Sequence, residues 1–349
     1  MDSPVRVIVV DDSALMRTLI SDVLSKSPDI DVIDSARDGE DALQKIAALD
    51  PDVVTLDVEM PRMNGLEVLM ELQGRERPQV IMLSGLTDPE VAYESLELGA
   101  LDFVLKPSGS ISVNIDDLGE ELRDKVRAAA SVLRPVTPHS PPPRLPAARL
   151  GRPLMPVVVI AASTGGPMAL DTIFSTLPGD LDAAVVVVQH LPVGFSHSLS
   201  ARLDRVSEIE VREAVDGQTL RAGMAYLAPA GRQLKFVKNG SAKTIALTDE
   251  KGYGRFMPSA DVAFESLADV YGQRGIGVIL TGMGSDGMKG MTSLAKSKGH
   301  TMAQDRETSV VFGMPKACID AGVVSEIVPL PEISRRLTEV VADRRGRRV

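Results

Sequence analysis

Short apolar runs, each followed by a stretch with helical spacing, recur from the start of this chain, and that alternation limits its fold most. Val5–Val10, Asp31–Ser35, Val53–Leu56, Val80–Leu83 and Asp102–Leu105 read as strands. Ser13–Leu24, Asp41–Leu49, Gly65–Leu72 and Asp88–Leu98 lie between them and carry apolar residues at helical intervals. Strands separated by whole helices run parallel, with the helices crossing the faces of the sheet. The strands are apolar at most positions, which suits a sheet covered on both sides. Asp116–Leu133 adds a closing helix.

The pattern then breaks and restarts. Arg134–Pro156 contains Pro138, Pro141, Pro142, Pro143, Pro146 and Pro153 and few core-forming residues, as an extended linker does. Beyond it, Pro156–Ala162, Ala184–Val188 and Ile276–Leu280 read as buried strands, with helices at Met168–Thr176 and Met288–Lys298. Ile209–Ala214, Met224–Leu227, Gln233–Val237 and Thr244–Leu247 read as shorter strands of a β-rich insertion, and Asn239-Gly240 is a hairpin turn signal. The expected fold is α/β throughout: a doubly wound parallel sheet over 1–127, a Pro/Arg-rich linker over 128–155, and a Rossmann-like α/β/α domain with a β-hairpin insertion over 156–349.

Charge separates the halves. Residues 1–127 carry 27 acidic and 12 basic side chains, and the remainder 21 and 26. With a net charge of −10, no Trp and scattered basic residues, the chain is unsuited to nucleic acid. No apolar run approaches the roughly 18 residues of a membrane span, and the N-terminus lacks the pattern of a signal peptide. One Cys makes neither an internal disulfide nor a Cys-rich metal site. A cytoplasmic protein is expected. The tail Arg344–Arg348 reads as a solvated, frayed end.

In open parallel sheets, ligands gather beyond the carboxyl ends of the strands. Asp11 and Asp12 follow the first strand, Asp57 the third, Ser84 the fourth, and Lys106-Pro107 the fifth. Asp12 alone could equally cap the next helix. Carboxylates gathered at one sheet edge repel unless a hard cation joins them, and oxygen ligands suit Mg²⁺. Lys106 supplies a charge for phosphoryl oxygens and Ser84 a hydroxyl. The set describes a phosphoryl-accepting Asp, with Asp57 at its centre.

Val9–Ser13, Leu56–Gly65, Ser84-Gly85 and Phe103–Pro107 together resemble the receiver domain of two-component response regulators over roughly residues 1–127. The resemblance implies Asp57 as phosphoacceptor with a histidine kinase as donor. It implies Asp11, Asp12 and Asp57 as Mg²⁺ ligands, Ser84 and Lys106 as phosphoryl contacts, and Phe103 as an aromatic switch. Asn64 stands where many relatives carry Asp.

Ser163, His190 and Asp286 each lie just past a buried strand of the second half. A serine hydroxyl is a weak nucleophile until a base takes its proton, and a carboxylate orients and stabilises that base. Gly165-Gly166 admits close approach to the backbone. N–H groups at the following helix or in the Gly282-Met283-Gly284 turn could stabilise an oxyanion. The rival reading is a phosphate loop at Ser163–Gly166, although neither the G-x-G-x-x-G nor the Walker spacing is present. Asp286 could also be a turn residue. Zinc is disfavoured, since His190 and His197 lack a third partner nearby. Cys318 reads as buried filler.

Ala162–Pro167, Gln189–Phe195, Leu280–Gly287, Ala303–Asp305 and Val311–Pro315 resemble the catalytic domain of the chemotaxis protein-glutamate methylesterases, the CheB family, from about Pro156 to Pro329. The resemblance implies Ser163 as nucleophile, His190 as base and Asp286 as its partner. It places the Met283 N–H as an oxyanion donor, with Thr164 and Gly165 beside the substrate. It further implies methylated chemoreceptors as substrates, glutamine deamidation in some members, and no cofactor for hydrolysis. A monomer is expected, with the unphosphorylated receiver restricting access to the triad. Gly254–Ser259 lacks the His-Arg-Pro-Ser type of segment that the family pattern calls for, though Pro258-Ser259 remains.

Overall fold

The computed structural model describes residues 3–75, 78–85, 89–106, 115–130, 155–240, 242–250 and 256–346. The chain divides into two compact units, Met1–Pro138 and His139–Val349.

The first unit runs β1 Val5–Val10, α1 Ala14–Ser25, β2 Ile30–Ala36, α2 Gly39–Leu49, β3 Val53–Asp57, α3 Gly65–Leu72, β4 Gln79–Ser84, α4 Pro89–Glu97, β5 Asp102–Leu105 and α5 Ile115–Ala130. Its five strands are all parallel, in the order β2-β1-β3-β4-β5. All of β3 is buried, as a central strand covered by helices must be. Side-chain caps set the helix starts. Ser13 Oγ accepts from Met16 N, Asp38 Oδ1 from Asp41 N, and Asn64 forms a reciprocal capping box with Glu67. Asn64, which departs from the family pattern, therefore has a local structural task. α5 continues past the expected boundary at 127, and the linker segment 131–154 lies outside the described residues.

The second unit runs β6 Val157–Ala162, α6 Gly166–Phe174, β7 Ala184–Gln189, α7 Ser196–Val206, β8 Glu210–Glu213, β9 Met224–Leu227, β10 Gln233–Asn239, β11 Ala242–Thr248, α8 Ala260–Tyr271, β12 Gly275–Ile279, α9 Met288–Lys296, β13 His300–Gln304, α10 Met314–Asp320, β14 Glu326–Val328 and α11 Leu330–Gly346. Seven strands form one parallel sheet, β14-β13-β12-β6-β7-β9-β8. β6, β7 and β12 are buried at every position. The core joins Val157, Val159, Val186 and Val188 of the sheet to Phe264, Leu267 and Leu294 of the helices on one face.

Two expectations need correction. β8 and β9 are not part of an insertion; they extend the main sheet in parallel from β7. Only β10 and β11 form the antiparallel hairpin, closing next to Gly240 at φ +61°. β8 is a short edge strand, Glu210-Val211-Arg212-Glu213, buried only at Val211, so its composition resembles that of a surface hairpin. The C-terminal tail is also not frayed through its length. Arg344 lies in α11 and donates to the carbonyls of Gln273 and Lys298, while 347–349 lie outside the described residues.

In the first unit, successive strands depart in opposite directions between β1 and β3, which sets the crevice there. In the second, β7 lies on one side of β6 and β12 on the other. Such a reversal opens a crevice at the carboxyl ends of the strands, and the singled-out residues stand at these two places.

Two candidate sites at strand ends

In the first unit, Asp11 and Asp57 are buried at the ends of β1 and β3, and Asp12 is exposed beside them. Each of the three offers a carboxylate oxygen, and these oxygens all lie within 4.8 Å of one another. Lys106 Nζ bridges two of them, 2.6 Å from Asp57 Oδ2 and 2.9 Å from Asp11 Oδ2. Burial pushes the Asp57 carboxyl above its usual range; Lys106 pulls against that rise and Asp11 adds to it. Burial would lower the Lys106 ammonium, but its bonds to Asp57 and Asp11 outweigh that and raise it.

The helix-cap alternative for Asp12 fails, because Ser13 caps α1. The Asp12 carboxylate accepts no hydrogen bond among the described residues. An all-oxygen set with one uncommitted carboxylate at the rim fits Mg²⁺. Ser84 ends β4, and its hydroxyl donates to the Gly85 carbonyl at 3.0 Å. Phe103 is buried, packed edge-on against Tyr93. Lys125 Nζ lies 5.7 Å from the Phe103 ring centre and donates to the Phe103 carbonyl at 2.6 Å. Pro107 lies outside the described residues.

In the second unit, the β6–β7 register pairs Ala162 with Gln189. Ser163 and His190 are therefore the next residues on adjacent strands. The His190 N–H donates to the Ala162 carbonyl at 3.1 Å, and the Ser163 N–H to the Thr281 carbonyl beyond β12 at 3.0 Å. Gln189 is buried, and its Nε2 donates to the carbonyls of both Ser163 (2.8 Å) and His190 (3.2 Å), tying the two strand ends together.

His190 Nε2 lies 2.8 Å from Asp286 Oδ2. The other ring nitrogen, Nδ1, is buried with no hydrogen-bond partner. Ser163 Oγ makes no hydrogen bond among the described residues. The imidazole–carboxylate pair is thus formed, and the hydroxyl stands at the neighbouring strand end without a bond to the imidazole. Such bonds are often long in free enzymes and tighten with substrate.

Asp286 is no idle turn residue. Besides His190 it accepts from Ser259 Oγ at 2.8 Å, Ala260 N at 2.7 Å and Asp261 N at 3.1 Å. These donors are at the first turn of α8, where unpaired N–H groups and the helix dipole favour an anion. Burial pushes the Asp286 carboxyl up, but the bond and charge of His190, with the Ala260 and Ser259 donors, outweigh it and hold it below its usual range.

Glycines let the backbone segments meet. Gly165 has φ +75°, and a Cβ there would lie 2.6 Å from Val310. A Cβ on Gly282 would lie 2.8 Å from that of Ser163, so the turn after β12 presses directly on the serine. Gly282 donates to Val311 O and accepts from Gly313 and Met314 N. Neither the Met283 nor the Thr164 N–H has an acceptor among the described residues. The Thr164 side chain is buried, and its carbonyl takes the Thr281 hydroxyl at 2.9 Å.

Sequence reasoning missed Ser259 as a ligand of Asp286, and it missed Phe256, whose ring stacks on His190 at 3.9 Å between centres and 4° between planes. The Pro258-Ser259 pair ahead of an apolar helical run was the available signal for the first. Nothing local signals the second. Gly254 and Arg255 lie outside the described residues, as does His139; His197 is exposed on α7.

Cys318 is fully buried, its thiol pushed up to about 12 by burial and the nearby Asp261 and Asp286 charges. At about pH 8, iodoacetamide should leave it unmodified in the folded protein, because alkylation needs an accessible thiolate. Mass spectrometry after treatment, with and without denaturant, checks this. Alkylation of the folded chain would overturn the reading of Cys318 as buried filler.

Residues 158–337 match the family model described as CheB methylesterase, and residues 7–114 that of the response regulator receiver domain. A Geobacillus kaustophilus protein-glutamate methylesterase/protein-glutamine glutaminase is 46% identical, covering 97% of this chain and 99% of its own. The Pyrococcus horikoshii protein of the same name is 41% identical over 99% of this chain and 96% of its own. Among solved structures, the Thermotoga maritima CheB methylesterase catalytic domain is 40% identical with a TM-score of 0.52, covering 53% of this chain and 98% of that one.

Proposed function

Because the chain belongs to the CheB methylesterase family, with a response-regulator receiver domain ahead of the catalytic one, we propose that it hydrolyses γ-glutamyl methyl esters on the cytoplasmic helices of chemoreceptors. The observation that carries this reading is the Asp286–His190 pair, held at the start of α8 one strand end away from Ser163. With Nε2 committed to Asp286, Nδ1 is the ring nitrogen left to receive a proton.

Ser163 Oγ attacks the ester carbonyl carbon as its proton passes to His190 Nδ1. The carbonyl π electrons move onto oxygen, where the Met283 and Thr164 N–H groups can meet the charge. Asp286 stays ionised and stabilises the imidazolium. Collapse of the tetrahedral intermediate breaks the bond to methoxide, which leaves as methanol with the proton from Nδ1. Water then attacks the acyl-serine, giving its proton to Nδ1. A second collapse releases the glutamate side chain and returns the proton to Ser163. A glutamine side chain follows the same path with ammonia as the leaving group, so one site serves both activities named for the relatives.

In the receiver, Asp57 takes the phosphoryl group of a kinase phosphohistidine: a carboxylate oxygen bonds to phosphorus as the imidazole nitrogen leaves. Asp11, Asp12 and Asp57 would hold Mg²⁺, which when bound offsets the charge of the phosphoryl oxygens. Lys106, already on Asp57, is placed to follow those oxygens. Phosphorylation of Asp57 raises hydrolysis at Ser163.

Incubation with a methylated receptor cytoplasmic fragment should release methanol, and a fluorophosphonate should label Ser163. No label, together with tight binding of a nucleotide or phosphate, would favour the phosphate-loop reading. With acetyl phosphate and Mg²⁺ the rate should rise for the unmodified chain and not for Asp57→Asn. Equal stimulation of both would remove Asp57 from regulation.

A further inference from the structure

His190 is held on two sides. Its edge meets Asp286, and one face is covered by Phe256 in near-parallel contact. The Phe256 position is itself anchored. Buried Gln233, on the hairpin strand β10, donates to the Phe256 carbonyl at 2.9 Å and accepts from Ser259 N at 2.8 Å. Gly231 N donates to the Met257 carbonyl at 2.9 Å. Within four residues, then, one segment stacks on the imidazole and, through Ser259, holds the carboxylate partner of that imidazole. The hairpin insertion bears on the chemistry through Gln233.

We propose that Phe256 is a positioning residue of the hydrolase site, whose stacked ring fixes the plane of His190 so that Nδ1 faces Ser163 and favours the imidazolium formed when the serine proton transfers. The proposal rests on His190 acting as the base. Asp286 alone permits the imidazole to swing about the Nε2 contact; a flat ring on its face does not. A cation over an aromatic face is attracted to it, most strongly out of water, and the side chain of His190 is only 7% exposed. Among the described residues, the charged group in direct contact with the imidazole is Asp286, and Asp261 of α8 lies next to Asp286. This chain therefore covers its base with a neutral ring.

Phe256→Leu keeps apolar cover and removes the ring, whereas Phe256→Tyr keeps the ring. In the full chain, Phe256→Leu should lower kcat about ten-fold with little change in KM, the size a desolvated cation–π contact supports. The acid limb of its pH–rate profile should move to lower pH, because the protonated base is less favoured. Fluorophosphonate labelling of Ser163 should slow in parallel, and Phe256→Tyr should restore both. A Phe256→Leu protein with unchanged melting temperature, labelling rate and profile overturns the proposal while leaving the serine reading intact. A fall in rate that Phe256→Tyr does not restore also overturns it, since packing alone would then account for the loss. Failure of the unmodified chain to label at Ser163 overturns the underlying reading instead.

Discussion

Ser163→Ala is expected to lower methyl ester hydrolysis by about 10⁴-fold or more, the cost of removing a triad member, and to leave the stability of the fold almost unchanged. The second half follows from the bonding of Ser163. Its N–H is spent on Thr281 O, and its carbonyl takes Gly166 N and Gln189 Nε2; alanine keeps all three. Its hydroxyl bonds to nothing among the described residues. A half-buried hydroxyl with no partner adds little to stability, and changes of this kind usually stay within about 0.5 kcal/mol. A structural serine behaves in the opposite way, losing stability before rate. Methanol release and a thermal melt on the same preparation therefore separate the two roles. Turnover within a few-fold of the unmodified chain would reject Ser163 as nucleophile.

What could be read from the sequence, and what could not, divides along a physical line. Strand ends were legible. A buried parallel strand is a run such as Ala184–Val188, and the polar residues that follow it within a few positions lie at the carboxyl end of the sheet. The alternation of strands and helices then makes these edges coincide, which is why Asp11, Asp57 and Lys106 could be grouped before any coordinates, and likewise Ser163, His190 and Asp286. The pairing of β8 and β9 with the main sheet was not legible. Strand partners are chosen across the fold, and nothing in Glu210-Val211-Arg212-Glu213 names β9. Phe256 was invisible for the same reason: its role exists only because a hairpin anchored through Gln233 returns the chain over His190. Strand-end logic put Ser84 at the end of β4, but it could not give the direction of its hydroxyl, which donates to the Gly85 carbonyl. That logic fixes where a side chain starts, and its rotamer answers to local acceptors such as the Gly85 carbonyl.

The second large effect is expected at Asp286. Asp286→Asn should cut hydrolysis by about 10³–10⁴-fold, because a neutral amide neither stabilises the imidazolium nor guarantees the right tautomer of its partner. Unlike Ser163→Ala, it should also destabilise the fold. The carboxylate takes four donors on two oxygens, from His190, Ser259, Ala260 and Asp261. An amide has one acceptor oxygen, and its NH₂ must then oppose a donor. Leaving buried donors unpaired costs about 1–3 kcal/mol. Charge makes this cost depend on pH in a known direction. The carboxyl of Asp286 is held lower in the folded chain than its usual value, so its charged form is bound more tightly folded than unfolded. That contribution is complete above the unfolded value of about 3.9 and fades as pH falls through the lower folded one. Denaturant melts of the two proteins should therefore differ most at neutral pH and converge in acid. A gap that stays constant down to about pH 3 would mean that shape, and not the anion at the start of α8, is what the mutation removes.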